Sequence, residues 1–467
     1  MNRSIDKMEE ECGVFGIFSR EKKDGIADLT SIALHALQHR GQESAGITVS
    51  DFGEIETYKG MGLVGDVFIS EVLEGLTGNS AIGHVRYSTQ GGSLLENAQP
   101  LESPYRSGSV AIAHNGNITN AGKLRSALLK RDVNFSTTSD SEVILRMLTL
   151  DKGKNIVESL RDMTGILEGS YALVILADNE LIGMRDPAGI RPLCLGQNSV
   201  GNWFLASESC ALNSVGASMV RDIEPGEIVV IGEEGIRSTR YDLSHSSPCS
   251  FEHIYFARPD SIIDGIEVYS ARVEGGRLLA KQKKVDADIV IGVPDSGIPA
   301  AIGFSEASDI PYGIGLVRNS YSGRSFIEPS QEIREDVVGR KLSTIKGSIA
   351  GKRVVVVDDS LVRGTTSRKL IEMLREAGAK EVHFRLASPP VKHPCFLGID
   401  ISDKGELLAN GMSIGEMAEV IGADTLDFLS LENLYHSLGR EGCCTGCFNG
   451  AYPAASAPSL HKLVSAS

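Results

Sequence analysis

The chain has 467 residues, 42% apolar and 23% charged, enough for roughly two or three domains with cores typical of a globular enzyme. Its formal charge of -15 argues against nucleic acid or an acidic membrane as the main partner, because most of the surface would repel either one; a small polyanion needs only a local basic pocket. No apolar run approaches the ~18 residues of a membrane span, and the leader MNRSIDKMEEE lacks the apolar stretch of a secretory signal, so the expected location is cytoplasmic, where the 8 cysteines are read as metal ligands or reactive thiols rather than disulfides.

In chain order, GVFGIF at 13–18 predicts a short strand directly after Cys12. Residues 27–40 carry apolar side chains at helical spacing and stop at Gly41. From there to about residue 240 come short strands with glycine turns, among them SAGITVS, AIGHVRYST, VAIAHNGN, SYALVILAD, WFLASES and GEIVVIG, with helices expected at about 121–131 and 140–152. This is the pattern of stacked antiparallel sheets flanked by helices. After the linker YDLSHSSPCS at 241–250, the character changes. ADIVIGV at 287–293 and KRVVVVDD at 352–359 are continuous apolar strands, and the second leads through a loop to the helix RKLIEMLREAGA and the strand EVHFRLAS. That is a β-loop-α-β unit of a parallel sheet. There is no internal repeat, and AASAPSLHKLVSAS reads as a loose tail.

The most informative motif is VVVVDDSLVRGTTS at 354–367. Asp358 and Asp359 end a buried strand, Ser360 and Arg363 follow, and Gly364 leads into Thr365, Thr366 and Ser367 at a helix start. Amides at a helix N-terminus and three hydroxyls can cradle a phosphate. The acids can hold ribose hydroxyls directly or through Mg²⁺. A bare Asp-Asp would serve equally well as a turn cap, but the whole string resembles the ribose-phosphate signature of type I phosphoribosyltransferases. GVPDSGIPAA at 292–301 fits that resemblance, presenting amides to a diphosphate with Ser296 near the metal. The basic, glycine-interrupted stretch at 318–342, with Arg318 and Arg324, reads as a lid that excludes water from the reacting diphosphate.

In the first half, CGVFGI at 12–17, LQHRGQESAGI at 37–47, GHVRYST at 83–89, AHNGNI at 113–118 and TTSDSEV at 137–143 together resemble the N-terminal-nucleophile glutamine amidotransferases. Taken singly, an early cysteine is most often structural and HNGN most often a turn. With the second half, the chain resembles the glutamine phosphoribosylpyrophosphate amidotransferases of the iron–sulfur, bacillus type over roughly residues 12–450. The resemblance implies a propeptide at 1–11, an α+β N-terminal-nucleophile hydrolase sandwich (αββα) at 12–245, an α/β type I phosphoribosyltransferase domain with a parallel sheet and a cluster-binding C-terminal segment at 246–450, and a tail at 451–467. The expected reaction transfers ammonia from L-glutamine to 5-phosphoribosyl 1-diphosphate, giving 5-phosphoribosylamine in purine synthesis. Expected partners include purine nucleotide feedback inhibitors and further copies of the chain, as a tetramer.

Cutting before Cys12 would free an α-amine beside its own thiol. With an ordinary pKa of about 8, that amine can exchange protons near neutrality, so one residue supplies nucleophile and base. The resemblance further assigns Arg86 to the glutamine carboxylate, Asp140 to its ammonium, Thr89 to another substrate contact, and Asn115 and Gly116 to the oxyanion hole. Tyr255, Phe256 and Arg258 are candidates for lining the ammonia path. Ser320, where the family's lid usually carries a basic residue, removes one expected phosphate contact.

CTGC at 444–447, with the remote Cys249 and Cys395, makes four thiolates that suit either Zn²⁺ or an iron–sulfur cluster. The resemblance implies a 4Fe–4S cluster on Cys249, Cys395, Cys444 and Cys447, with Cys443 a rival for Cys444 because the two are adjacent. The rival functions are another glutamine-dependent aminating enzyme, against which the 354–367 string speaks, and a ligand-sensing regulatory homologue, against which the glutaminase half speaks.

Overall fold

The computed structural model describes residues 12–23, 25–87, 92–106, 108–150, 155–241, 246–319, 342–399 and 404–453. The leader, Thr89, Ser320, Arg324 and most of the tail lie outside the described residues.

The first half folds as two antiparallel sheets face to face. One has seven strands in the spatial order Ala217–Asp222, Cys194–Asn198, Trp203–Ala206, Gly13–Lys23, Gly78–Arg86, Ser44–Asp51, Glu54–Met61. The other has six, in the order Gly235–Arg240, Glu227–Gly232, Glu180–Arg185, Gly169–Ala177, Gly108–Ile118, Leu101–Tyr105. Strand alternation turns Val14, Phe18, Ile82, Ala113, Val174 and Leu205 into a shared core between the sheets. The layers close tightly at Gly16, where a Cβ would stand 2.7 Å from Val174 Cγ1 on the opposite sheet. Helices Ile26–Ala36 and Ser209–Ser214 cover the outer face of the first sheet. Helices Ala121–Leu129, Asp140–Leu150 and Ile156–Thr164 cover that of the second. The four layers are therefore αββα, as expected.

Several elements depart from the sequence reading. The first strand runs on to Lys23. The first helix stops at Ala36 and tightens into a 3-10 turn, Gln38–Arg40, which carries Arg40 into the interior. Helix Ile156–Thr164 was not anticipated, although Asn155 and Glu158 form a reciprocal capping box at its start.

In the second half, strands Ile289–Gly292, Arg353–Asp358, Glu381–Leu386 and Thr425–Phe428 pair in parallel in that order. The valine run is covered on both faces, as a parallel strand requires. Val355 and Val357 pack with Leu279 and Phe304 from helices Val268–Gln282 and Ile298–Ser308. Val354 and Val356 pack with Leu370, Leu374, Met417 and Ile421 from helices Thr365–Glu376 and Ile414–Ile421. Leu316–Arg318 and Leu342–Thr344 form an antiparallel ribbon that brings the two ends of the expected lid together.

Between the halves, Glu252–Phe256 makes a buried π-helical turn. Such a turn leaves carbonyls without the usual helical partner. Arg272 supplies donors, reaching the carbonyl oxygens of His253 at 2.7 Å, Tyr255 at 3.0 Å and Ala257 at 2.8 Å. Burial lowers the Arg272 guanidinium to about 10, and the Asp359 carboxylate works against that shift.

Two candidate active sites in one chain

Cys12 precedes the central strand of the seven-stranded sheet, beside the end of Gly78–Arg86. Its thiol donates to the Tyr87 carbonyl at 3.3 Å. Burial pushes the thiol up to about 12; Arg86 and Arg40 pull it down, while Glu43 and Asp140 push it further up. A thiol so placed carries almost no thiolate at neutral pH, so it attacks only if a base takes the proton during the step. The Tyr87 carbonyl cannot remove a proton, and guanidiniums have no base to offer. His84 and His114 are poor bases here, because burial disfavours their protonated forms. His84 Nε2 bonds to the His114 carbonyl at 2.9 Å, and burial lowers His84 to about 3. His114 Nδ1 lies 3.0 Å from Ser141 Oγ, and burial lowers it too.

Two of the expected glutamine-binding groups, Arg86 and Asp140, lie close enough to act on the thiol's charge. Arg86 ends its strand buried and paired with the carboxylate of Glu43, a partner that the sequence reading did not name, and donates to the Gly92 carbonyl at 3.3 Å. Asp140 opens the helix Asp140–Leu150 and is held by the Ile118 amide at 2.9 Å and the Ser139 hydroxyl at 3.4 Å. Asn115 is buried, and its Nδ2 has no hydrogen-bond partner among the described residues. A buried unpaired donor costs roughly 1–3 kcal/mol, a cost that an arriving acceptor would remove. Gly116 sits at φ +147, where a Cβ would be 2.1 Å from the Ser170 carbonyl oxygen, so no other residue fits without moving the adjacent strand.

A buried charge network behind Cys12 joins the halves. Arg40 Nε donates to the Cys12 carbonyl at 3.2 Å. Its Nη1 reaches Glu208 at 2.6 Å and Glu252 at 3.0 Å, and its Nη2 reaches Glu252 Oε1 at 2.7 Å. Glu208 also accepts from the Arg258 amide at 2.9 Å and the Ser261 hydroxyl at 2.7 Å. Burial would raise the Glu208 carboxyl, but His39 and Arg40 outweigh it and hold the group well below the usual range. Tyr255 and Phe256, on the same connecting turn as Glu252, stack edge-on with ring centroids 5.3 Å apart, while the Arg258 guanidinium pairs with Asp260.

The second site lies at the C-terminal end of the parallel sheet, where an open α/β sheet presents its ligand crevice. Asp358 and Asp359 are buried. Asp359 accepts from the Ser296 hydroxyl at 2.5 Å and the Ser360 hydroxyl at 2.6 Å, and its amide donates to Asp358 Oδ1 at 2.9 Å. The two loops read from the sequence thus meet through Ser296 and Asp359. Gly364, at φ +86, is the N-cap of Thr365–Glu376, and no side chain caps that helix. The amides of Thr365, Thr366 and Ser367 stand at the helix N-terminus. Arg363 pairs with Glu406 through Nη2 at 2.8 Å, and Arg318 with Asp295 at 2.8 Å on the surface.

The C-terminal cysteines converge on the linker. Cys249 and Cys444 form a parallel bridge, with Cys444 N donating to the Pro248 carbonyl at 2.8 Å. Cys447 accepts from the Lys392 and His393 amides at 2.9 and 3.0 Å, which brings in the segment leading to Cys395. Burial raises the thiols of Cys249, Cys444 and Cys447, and other sulfurs of the four add to each rise. Cys443 differs: after burial, its main influences are Arg440 and Asp264. All eight cysteines are free. Among the described residues, no group of three or more His, Cys, Asp or Glu side chains is set to hold a metal ion. No helix among the described residues is long and apolar enough to cross a membrane.

Comparison with known proteins follows the same division. Residues 84–214 match the glutamine amidotransferase domain family and residues 267–387 the phosphoribosyl transferase domain family. The amidophosphoribosyltransferase of Bacillus subtilis is 48% identical over 461 residues, covering 97% of this chain and 96% of that one. That of Methanothermobacter thermautotrophicus is 47% identical, covering 96% and 95%. The solved structure of the B. subtilis glutamine phosphoribosylpyrophosphate amidotransferase complexed with ADP and GMP superposes with a TM-score of 0.89 at 47% identity, covering 95% of this chain and 98% of that one.

Proposed function

The chain belongs to the amidophosphoribosyltransferases, and from that premise we propose how its own residues divide the work. The enzyme uses glutamine to aminate 5-phosphoribosyl 1-diphosphate, the first committed step of purine biosynthesis. In our reading the propeptide 1–11 is removed and residues 12–245 hydrolyse glutamine. Residues 246–450 make 5-phosphoribosylamine and release pyrophosphate, and 451–467 are a tail. The observation that supports the glutaminase reading is the set of charged groups around the Cys12 thiol, Arg86 and Asp140 among them.

Arg86 and Asp140 bind the α-carboxylate and α-ammonium of glutamine, with Thr89 as a further contact. The incoming carboxylate shares Arg86 with Glu43 or displaces it. The α-amine of Cys12 takes the thiol proton as sulfur attacks the amide carbon. Asn115 Nδ2 and the Gly116 amide receive the oxyanion, and the proton passes to the leaving ammonia. Water then cleaves the thioester to glutamate. Ammonia travels internally past Tyr255, Phe256 and Arg258, because release to solvent would protonate it to ammonium.

At the second site, the amides and hydroxyls of Thr365, Thr366 and Ser367 cradle the 5-phosphate and Gly364 lets the backbone approach it. Ser360, Arg363, Arg318 and Arg324 complete the diphosphate-binding set. Asp358, Asp359 and Ser296 are hard oxygen donors gathered at one point, a set that suits Mg²⁺. That ion would neutralise the diphosphate as it leaves. Cys249, Cys395, Cys444 and Cys447 would hold a 4Fe–4S cluster. The resemblance favours that cluster over Zn²⁺, and Cys444 is taken over Cys443 because it gives the C-x-x-C spacing with Cys447. The cluster would be structural, since neither half-reaction moves electrons. Eight reduced thiols suit a cytoplasmic location. By analogy with the B. subtilis complex, purine nucleotides act as feedback inhibitors. We further assign a homotetramer.

The direct test follows pyrophosphate. It should be released when glutamine and the sugar diphosphate are both present, and not with either alone. Release from the sugar diphosphate alone at the full rate would refute the coupling.

A further inference from the structure

Two buried amide side chains, Asn97 and Gln99, have no role in the chemistry above, yet both reach into the glutamine site. Asn97 closes the 3-10 turn Leu95–Asn97. Its Nδ2 donates to the Gly92 carbonyl at 2.8 Å, the same oxygen that Arg86 Nη1 reaches at 3.3 Å. That Nδ2 also donates to Thr138 Oγ1 at 2.9 Å, and Asn97 Oδ1 accepts from the Thr138 amide at 3.0 Å. Thr138 stands two residues before Asp140. One side chain thus ties the surroundings of Arg86 to the turn that presents Asp140.

Gln99 makes a second tie. The register of Leu101–Tyr105 on Gly108–Ile118 ends with Leu101 opposite Ile112. Beyond it, Gln99 Oε1 accepts from the His114 amide at 2.8 Å, so a side chain continues the ladder where the strand stops. Gln99 Nε2 donates to Ser141 Oγ at 3.1 Å, and that hydroxyl lies 3.0 Å from His114 Nδ1. His114 precedes Asn115, and Ser141 follows Asp140. Gln99 therefore fixes the backbone beside the oxyanion donor against the residue next to the ammonium holder. The segment itself is braced. Lys59 Nζ donates to the Ala98 carbonyl at 2.7 Å. A Cβ on Gly46 would lie 2.2 Å from the Gln99 carbonyl oxygen, so the strand Ser44–Asp51 packs directly against it.

Every one of these side-chain bonds ends within two residues of Asp140 or Asn115, or on the acceptor of Arg86. We propose that Asn97 and Gln99 are positioning residues of the glutaminase: Asn97 sets the spacing between the groups for the α-carboxylate and the α-ammonium, and Gln99 sets the oxyanion donor relative to them. This inference rests on the roles assigned above to Arg86, Asp140 and Asn115. The two residues then have different kinetic signatures. The amino-acid end of glutamine is held equally in the ground and transition states, so loosening it raises KM. The oxyanion forms only in the transition state, so misplacing its donor lowers kcat.

The test measures glutamine hydrolysis and ammonium-driven synthesis on the full chain. Asn97→Ala should raise the KM for glutamine about tenfold with kcat within about twofold. Gln99→Met, similar in length but without hydrogen bonds, should lower kcat about tenfold with KM within about threefold. Thr138→Ala and Ser141→Ala each remove one of these contacts. They should show the same signatures at about threefold, and they carry the test if a larger change prevents folding. Ammonium-driven synthesis should stay within about twofold of wild type in all four. Arg86→Lys and Asn115→Ala are run alongside. If both use glutamine as the wild type does, the site assignment fails and this inference with it. If both are impaired while the Asn97 and Gln99 variants match the wild type, lose the same kinetic parameter, or lose both activities together, the positioning roles are overturned and the site assignment stands.

Discussion

The two sites hold their chemistry in opposite ways. Around Cys12 the reactive groups are buried and braced by side chains from distant segments: Arg40, Glu208 and Glu252 behind the nucleophile, Glu43 on Arg86, and Ile118 and Ser139 on Asp140. Around Asp359 the groups come from two short loops at strand ends, tied by serine hydroxyls and an uncapped helix terminus. The difference follows the substrates. A neutral amide needs a nucleophile, a base and binding groups held in fixed positions, so its site is built inside a sandwich. A charged diphosphate brings its own leaving group and needs dipoles and cations at the end of a sheet.

This contrast can be broken by substitution. Asp359→Asn should lower synthesis from glutamine and from ammonium salts alike, by about a thousandfold, in an assay of pyrophosphate release. Loss with glutamine alone would put this residue on the wrong side of the division. Asn115→Ala should cost glutamine hydrolysis about a hundredfold in kcat while ammonium-driven synthesis stays within about twofold. A parallel fall in both would show that Asn115 serves the fold rather than the oxyanion. Arg86→Lys keeps a charge but loses the fork, so it should raise the KM for glutamine about tenfold with kcat little changed. A change confined to kcat would remove Arg86 from substrate binding.

The smallest expected effect is with pH. Burial raises the Cys12 thiol to about 12, so the thiol remains protonated throughout the working range and contributes no inflection. The base must be neutral to accept a proton. Hydrolysis should therefore fall as pH drops through the α-amine pKa, about 8 when unperturbed and lower if burial disfavours its charge. A glutaminase rate that rises toward pH 6 would contradict an amine base.

What the sequence makes legible follows from how local each feature is. The strand, turn and helix start at 354–367 are contiguous, and their structure is the one their residue types imply. The proposed roles of Cys12, Asn115, Gly116 and Asp140 come from strings that surround each of them. The buried network was not found, because Arg40, Glu208 and Glu252 come from three separate segments and each alone reads as an ordinary surface charge. Arg40 and Glu43 even sit inside the quoted string at 37–47 without drawing a role. The choice between Cys443 and Cys444 is open in the sequence for a similar reason: the two are adjacent, and spacing alone separates them.

The central claim is that one chain carries two separable reactions joined by ammonia. Cys12→Ala tests it most directly, with synthesis measured from glutamine and from added ammonium salt on the same preparation. The account predicts that the glutamine-driven rate disappears and the ammonium-driven rate persists. Equal loss of both, in a variant that unfolds at the same temperature as the wild type, would contradict it.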